Sequence, residues 1–222
     1  MRTLTVAVAK GRLGEKAAQL FGAIGCDVTT LMDALDGRSR SLVVAEPHRH
    51  LKFILAKSMD VPTFVEYGAA DLGIVGKDVL MESERAVAEL ADLGYARCSF
   101  VLAVPEGAGI RSVEQLDYNC RVASKYPNVT RRFLARHGIQ ADVIPLHGSV
   151  ELGPLVGLAD AILDITETGR TLQENGLRAI ATVGESSARL VANRISYKVE
   201  YERIGAIVEE LMGHVVQGAA AE

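Results

Sequence analysis

The stretch Ala161-Ile162-Leu163-Asp164-Ile165-Thr166-Glu167-Thr168-Gly169-Arg170-Thr171-Leu172 decides how this chain is read. It begins as an apolar run of buried-strand length, turns polar, passes a glycine and resumes with a helical pattern. Strand, tight turn and helix in that order form the repeating unit of an α/β fold. The same order recurs on the N-terminal side, where 121–124 reads as a strand, 129–137 as a helix stopped by Gly138, and 141–145 as another strand. Further back, Leu4 to Ala9 reads as a first strand and about 13–24 as a helix, with strands at 41–46 and 71–75. Residues 61–68 look like a helix opened by Pro62 and closed by Gly68. The alternation predicts a largely parallel sheet. Beyond the stretch, 177–183 and 187–193 continue the pattern, an amphipathic helix spans about 201–216, and 218–222 form a weakly ordered tail.

Composition narrows the function classes. With 222 residues, the chain has room for one domain or two small lobes. At 49% hydrophobic and 23% charged residues it has ample material for a core, and its formal charge of -4 offers no broad attraction for a nucleic-acid backbone. Any phosphate ligand must be held locally. Cys26, Cys98 and Cys120 are odd in number and widely spaced, as expected of free thiols in a reducing compartment. No run approaches the ~20 apolar residues that cross a bilayer, and the N-terminus reads as a strand, so a cytoplasmic protein is expected. The strand 99–104 ends at Pro105, and Glu106-Gly107-Ala108-Gly109 suits a crossing into a second lobe. Two connected lobes with a cleft between them are therefore expected.

Several segments can carry chemistry. In Asp164 to Thr171, hydroxylic residues and Gly169 at a strand–helix junction let consecutive N–H groups turn onto an anion. The loop lacks a Walker or GxGxxG pattern, so it suits a monophosphate; it is equally compatible with an ordinary capped connection. Asp164 and Glu167 would repel phosphate, which leaves them to accept hydrogen bonds from sugar hydroxyls or to hold a metal ion. Lys10-Gly11-Arg12, after the first strand, can meet a diphosphate or simply face water, and Arg38 and Arg40 share that ambiguity. Weaker candidates are Gly76-Lys77-Asp78 and Ser124-Lys125-Tyr126-Pro127-Asn128, both after strands. His48 and His50 lack a third ligand, so a zinc site is rejected. No nucleophile–base grouping is apparent. The pattern points to chemistry by positioning and charge neutralisation.

These residues resemble the catalytic chain of the ATP phosphoribosyltransferases, which open histidine biosynthesis. The signature appears as Glu151, Gly157, Ala159-Asp160-Ala161-Ile162, Asp164-Ile165 and Thr168-Gly169-Arg170-Thr171-Leu172. It is supported by Lys10-Gly11-Arg12-Leu13, by 60–80 and by Lys125-Tyr126-Pro127-Asn128, so that about 4–200 is covered. The resemblance implies transfer of a phosphoribosyl group from phosphoribosyl pyrophosphate to N1 of the adenine of ATP, with release of diphosphate and with magnesium. It implies a two-lobed fold like the type II periplasmic binding proteins, with lobe I at about 1–94 plus 180–222 and lobe II at about 95–179. By resemblance, Glu167, Thr168, Gly169, Arg170 and Thr171 hold the 5′-phosphate through backbone N–H groups and threonine hydroxyls, Asp164 meets the ribose hydroxyls, and Lys10 and Arg12, with magnesium, neutralise the departing diphosphate. Arg40, Gly76, Lys77, Ser124, Lys125 and Tyr126 are candidates for ATP. Arg170 stands where many relatives have a smaller residue, and either adds a phosphate contact or projects outward. The chain resembles the short form of the family, a homodimer that assembles with a regulatory subunit related to histidyl-tRNA synthetase.

Overall fold

The computed structural model describes residues 2–219. The chain divides into two compact units, one built from residues 1–96 and 187–222 and the other from residues 97–186.

In the first unit the elements run β1 (Leu4–Ala9), α1 (Arg12–Ala23), α2 (Thr29–Leu35), β2 (Val43–Glu46), β3 (Leu51–Ala56), α3 (Val61–Glu66), β4 (Leu72–Gly76), α4 (Lys77–Ser83) and β5 (Ala88–Asp92). The second unit holds β6 (Cys98–Pro105), β7 (Cys120–Ser124), α5 (Pro127–Arg136), β8 (Ala141–Pro145), α6 (Leu152–Leu155), β9 (Ala161–Thr166), α7 (Arg170–Glu174) and β10 (Leu177–Ser186). The chain then returns to the first unit as β11 (Ala188–Ala192), α8 (Arg194–Val199) and α9 (Tyr201–Ala219). Helix α9 takes up the first two residues of the expected tail; 220–222 lie outside the described residues.

The first sheet has the order β2-β3-β1-β4-β11-β5. Strands β1, β3 and β4 run parallel; β2, β11 and β5 make antiparallel pairings. Strand β1 is buried throughout, as a strand covered on both faces must be. Val6 and Val8 pack with Ala17, Ala18 and Phe21 of α1, while Ala7 and Ala9 pack with Val61 and Val65 of α3 and Val79 of α4. Phe21 meets Phe53 edge to face at 5.0 Å, which adds about 1 kcal/mol to the burial of either ring. Helix α1 therefore leaves β1 on one face, and α4 leaves the adjacent β4 on the other. Such a point opens a crevice at the carboxyl ends of the two strands.

The second sheet has the order β10-β6-β9-β7-β8, with β7, β8 and β9 parallel and β6 and β10 antiparallel. One face carries Val101, Ala103, Ala123 and Ile162 against Val150 and Leu172. Both sheets are thus mixed rather than largely parallel, because each is completed by hairpin-like and returning strands that pair antiparallel. The return to the first unit falls after Ser186, not near 180. Strand β10 stays paired with β6 from Leu177↔Pro105 to Ser186↔Cys98, so 180–186 belong to the second unit.

Candidate functional site

In the second unit, β9 delivers its chain through Thr166, Glu167, Thr168 and Gly169 into α7. The Gly169 N–H donates to Thr166 Oγ1 at 2.8 Å, and the Arg170 N–H donates to Thr168 Oγ1 at 3.4 Å, so hydroxyls at the strand end shape the turn. Gly169 sits at φ 77°, a left-handed conformation that a side chain disfavours. Glu167, Thr168 and Thr171 are exposed, and Asp164 is half-buried with its Oδ1 accepting from the Ile165 N–H at 2.8 Å. The Arg170 guanidinium turns along its own helix to Glu174 at 2.7 Å and is 82% exposed.

Strand β7, the neighbour of β9, ends at Ser124. This side chain is fully buried: Ser124 Oγ donates to the Leu163 carbonyl at 2.6 Å and accepts from the Tyr126 N–H at 2.9 Å. Tyr126 is 1% exposed, and its ring stands edge to face on Phe100 at 5.0 Å. Both side chains expected at ATP are thus buried here and join β6, β7 and β9. Lys125 remains exposed, with its ammonium 5.7 Å from the Tyr126 ring centroid.

In the first unit, register gathers the other candidates at one edge. Lys10, Gly11 and Arg12 follow β1, and the Lys10 N–H donates to the carbonyl of Ala56, the last residue of β3. Gly11 has φ 87° and ψ -164°, a region that is essentially glycine's alone. Gly14, one turn into α1, lies so close to β1 that a Cβ there would stand 2.1 Å from the Ala9 carbonyl oxygen. Strand β2 runs antiparallel to β3, so the Leu42 carbonyl accepts from the Leu55 N–H and Arg40 lies near the same edge. Arg38 is neutralised by Asp33 and Asp36, whereas Arg40 is exposed. Gly76 ends β4 and Lys77 opens α4 at this edge too, though the Lys77 ammonium is held by Glu89 at 2.5 Å. The structure adds a residue that the sequence reading missed: Lys57, exposed directly after β3 and beside Lys10. Its signal was the short apolar run 53–56 ending in a lysine.

The edge of the first unit thus offers cations, and the loop of the second offers N–H groups, hydroxyls and two carboxylates. Among the described residues no group of three His, Cys, Asp or Glu side chains converges as a metal site, and no helix is long and apolar enough to cross a membrane.

The periplasmic aliphatic sulphonate binding protein of Escherichia coli is similar in fold, with a TM-score of 0.61 at 15% identity over all of this chain and 75% of that one. The architecture is the two-lobed type II periplasmic-binding-protein-like fold. The family model described as ATP phosphoribosyltransferase matches residues 57–213. Proteins named ATP phosphoribosyltransferase 2 in Geobacter sulfurreducens and ATP phosphoribosyltransferase in Ruminiclostridium cellulolyticum are 43% and 47% identical, over 96% and 94% of this chain and 98% and 95% of theirs. The solved ATP phosphoribosyl transferase (HisG:HisZ) complex from Thermotoga maritima contains a chain 33% identical, with a TM-score of 0.82, covering 97% of this chain and 99% of that one. The chain belongs to the ATP phosphoribosyltransferase family.

Proposed function

We propose that the chain transfers the phosphoribosyl group of phosphoribosyl pyrophosphate to N1 of the adenine of ATP and releases diphosphate, the first step of histidine biosynthesis. The observation that carries this reading is the loop from Thr166 to Thr171, a glycine-turned strand–helix junction holding the Thr168–Thr171 part of the family signature. Thr168 and Thr171, both exposed, and the turn at Gly169 suit the 5′-phosphate, with Asp164 and Glu167 as acceptors for ribose hydroxyls. Arg170 is not assigned a phosphate contact. In the first unit, Lys10 and Arg12, joined by Lys57, have the charge to stabilise a leaving diphosphate as its bond to the ribose breaks. Adenine N1 carries a free lone pair, so attack needs no strong base, consistent with the lack of a nucleophile–base pair among these residues. Of the ATP candidates, Arg40, Gly76, Lys77 and Lys125 are retained.

The donor set also suits magnesium. That ion keeps several waters and takes one or two carboxylates plus substrate phosphates, so Asp164 and Glu167 are sufficient without a protein cage. When bound it supplies further neutralisation of diphosphate charge. The Thermotoga maritima relative, solved as a HisG:HisZ complex, supports a chain that works in a hetero-oligomer with a separate regulatory subunit; the homodimer and the likeness of that subunit to histidyl-tRNA synthetase are carried by the family resemblance. A place in a biosynthetic enzyme family suits a cytoplasmic setting.

The test mixes the purified chain with ATP, phosphoribosyl pyrophosphate and magnesium, with and without that subunit, and follows phosphoribosyl-ATP by mass and absorbance. Product, raised by the partner, is expected. A folded chain that binds ATP and makes no product in either condition overturns the assignment.

A further inference from the structure

Residues at which the chain leaves and re-enters the first unit touch the two candidate loops of its sheet edge. The chain departs after Ala96 and returns at Ser187. Just before the departure, the Tyr95 hydroxyl donates to the Leu13 carbonyl at 3.1 Å, in the first turn of α1. That turn hangs directly from Gly11, whose carbonyl accepts from the N–H groups of Gly14 at 2.8 Å and Glu15 at 3.1 Å. Tyr95 is itself fixed, because its carbonyl accepts from the Ala188 N–H at 2.9 Å and its ring packs against the main core of the unit. At the return, the Ser187 carbonyl accepts from the Lys77 N–H at 2.9 Å, and Ser187 Oγ donates to Asp92 at 2.7 Å.

We propose that Tyr95 is a positioning residue for the transfer reaction: its hydroxyl fixes the first turn of α1 and thereby the Lys10-Gly11-Arg12 loop, tying that loop to the segment where the chain departs. Burial raises the Tyr95 hydroxyl well above its ordinary value, so it remains a donor throughout the working pH range. Leu13 lies within the helix, so its carbonyl serves this bond besides its place in the helical ladder. The bond therefore adds orientation rather than closing the helix. A displacement of about 1 Å in groups that meet a developing charge costs up to about 100-fold in rate. The inference rests on the roles proposed for Lys10 and Arg12.

The experiment compares Tyr95→Phe, Tyr95→Leu, Arg12→Ala and Tyr95→Phe/Arg12→Ala in the complex with the regulatory subunit. It measures kcat, KM for each substrate, diphosphate binding by calorimetry, and thermal unfolding. Tyr95→Phe keeps the ring and is expected to unfold within a few degrees of the parent. Its kcat should fall about tenfold and diphosphate binding weaken several-fold, with KM for ATP unchanged, and the double variant should be no worse than Arg12→Ala alone. A defect in Arg12→Ala with parental kcat and diphosphate binding in Tyr95→Phe, and losses only in Tyr95→Leu, would show a packing role and overturn the inference alone. Parental behaviour in both Arg12→Ala and Tyr95→Phe overturns the site reading and the inference together. A defect in Tyr95→Phe that adds fully to that of Arg12→Ala also overturns it, because the hydroxyl would then act elsewhere.

Discussion

Gly14→Ala puts the close approach of α1 to β1 to a quantitative test. In an exposed helix interior, replacing glycine by alanine stabilises by about 1 kcal/mol. At Gly14 the added Cβ would meet the Ala9 carbonyl oxygen at 2.1 Å, Leu35 Cδ2 at 2.8 Å and Val8 Cγ1 at 3.2 Å. The first of these is main chain of a fully buried strand, so relief requires the helix start to retreat by about 1 Å. Overpacking of this kind costs about 1–3 kcal/mol, and more where backbone must move, so a net loss of about 2 kcal/mol is expected after the propensity gain. For a chain of this size that is a fall of about 4–8 °C in the melting temperature. Gly22→Ala is the internal control: it lies in the same helix, and its Cβ would meet only Val28 Cγ2 at 3.2 Å, so its stability should stay within about 1 kcal/mol of the parent. Because Gly14 N–H bonds to the Gly11 carbonyl, retreat of the helix also drags the Lys10–Arg12 loop, and kcat should drop about 100-fold. Urea denaturation followed by far-ultraviolet circular dichroism, with steady-state kinetics on the same preparations, reads both effects. A Gly14→Ala protein as stable as Gly22→Ala would refute the packing argument.

Three further outcomes are expected. Arg170→Ala should leave kcat and KM for phosphoribosyl pyrophosphate within about twofold of the parent, because its guanidinium pairs with Glu174 in solvent; a tenfold rise in KM would put that group on the phosphate. Arg49 holds the Glu210 carboxyl below its ordinary value, so the pair contributes stability above the usual carboxylate range and loses it as pH falls through the lowered value. Glu210 is 42% exposed, so Glu210→Gln should cost only about 0.5 kcal/mol at pH 7, with the difference vanishing in acid; a gap persisting at pH 3 would contradict this origin. Burial, reinforced by Glu46, pushes the Cys26 thiol up to about 11, so iodoacetamide at pH 8 should leave Cys26 unlabelled until guanidinium unfolds the chain, as peptide mass mapping would show.

The legible parts of this molecule were those whose cause is local. Strand β1 and its basic turn, the proline-opened α3, and the strand–glycine–helix passage through Gly169 are each written in about a dozen consecutive residues. Strand β5 was passed over because Ala88-Glu89-Leu90-Ala91-Asp92 is poor in β-forming residues, and only pairing with β11, about a hundred residues later, makes it a strand. Strand β3 was missed because Lys52 breaks its apolar run; its place beside β1 comes from the sheet. The candidate site divides in the same way. A tyrosine after a strand resembles a stacking platform, yet Tyr126 is claimed by Phe100, and Ser124 by the Leu163 carbonyl; neither partner is visible from a five-residue motif.

The position of β11 has a consequence for synthesis. It lies between β4 and β5, so the first unit remains unfinished while the ninety residues of 97–186 emerge from the ribosome. Until then the edge of β4 has no partner on that side, and an open buried-type edge is a template for unwanted pairing. The second unit is continuous in sequence and can close first, whereas the first must wait for its latest-made strand and helix. Nascent chains halted just short of residue 187 should therefore be the form most dependent on chaperones.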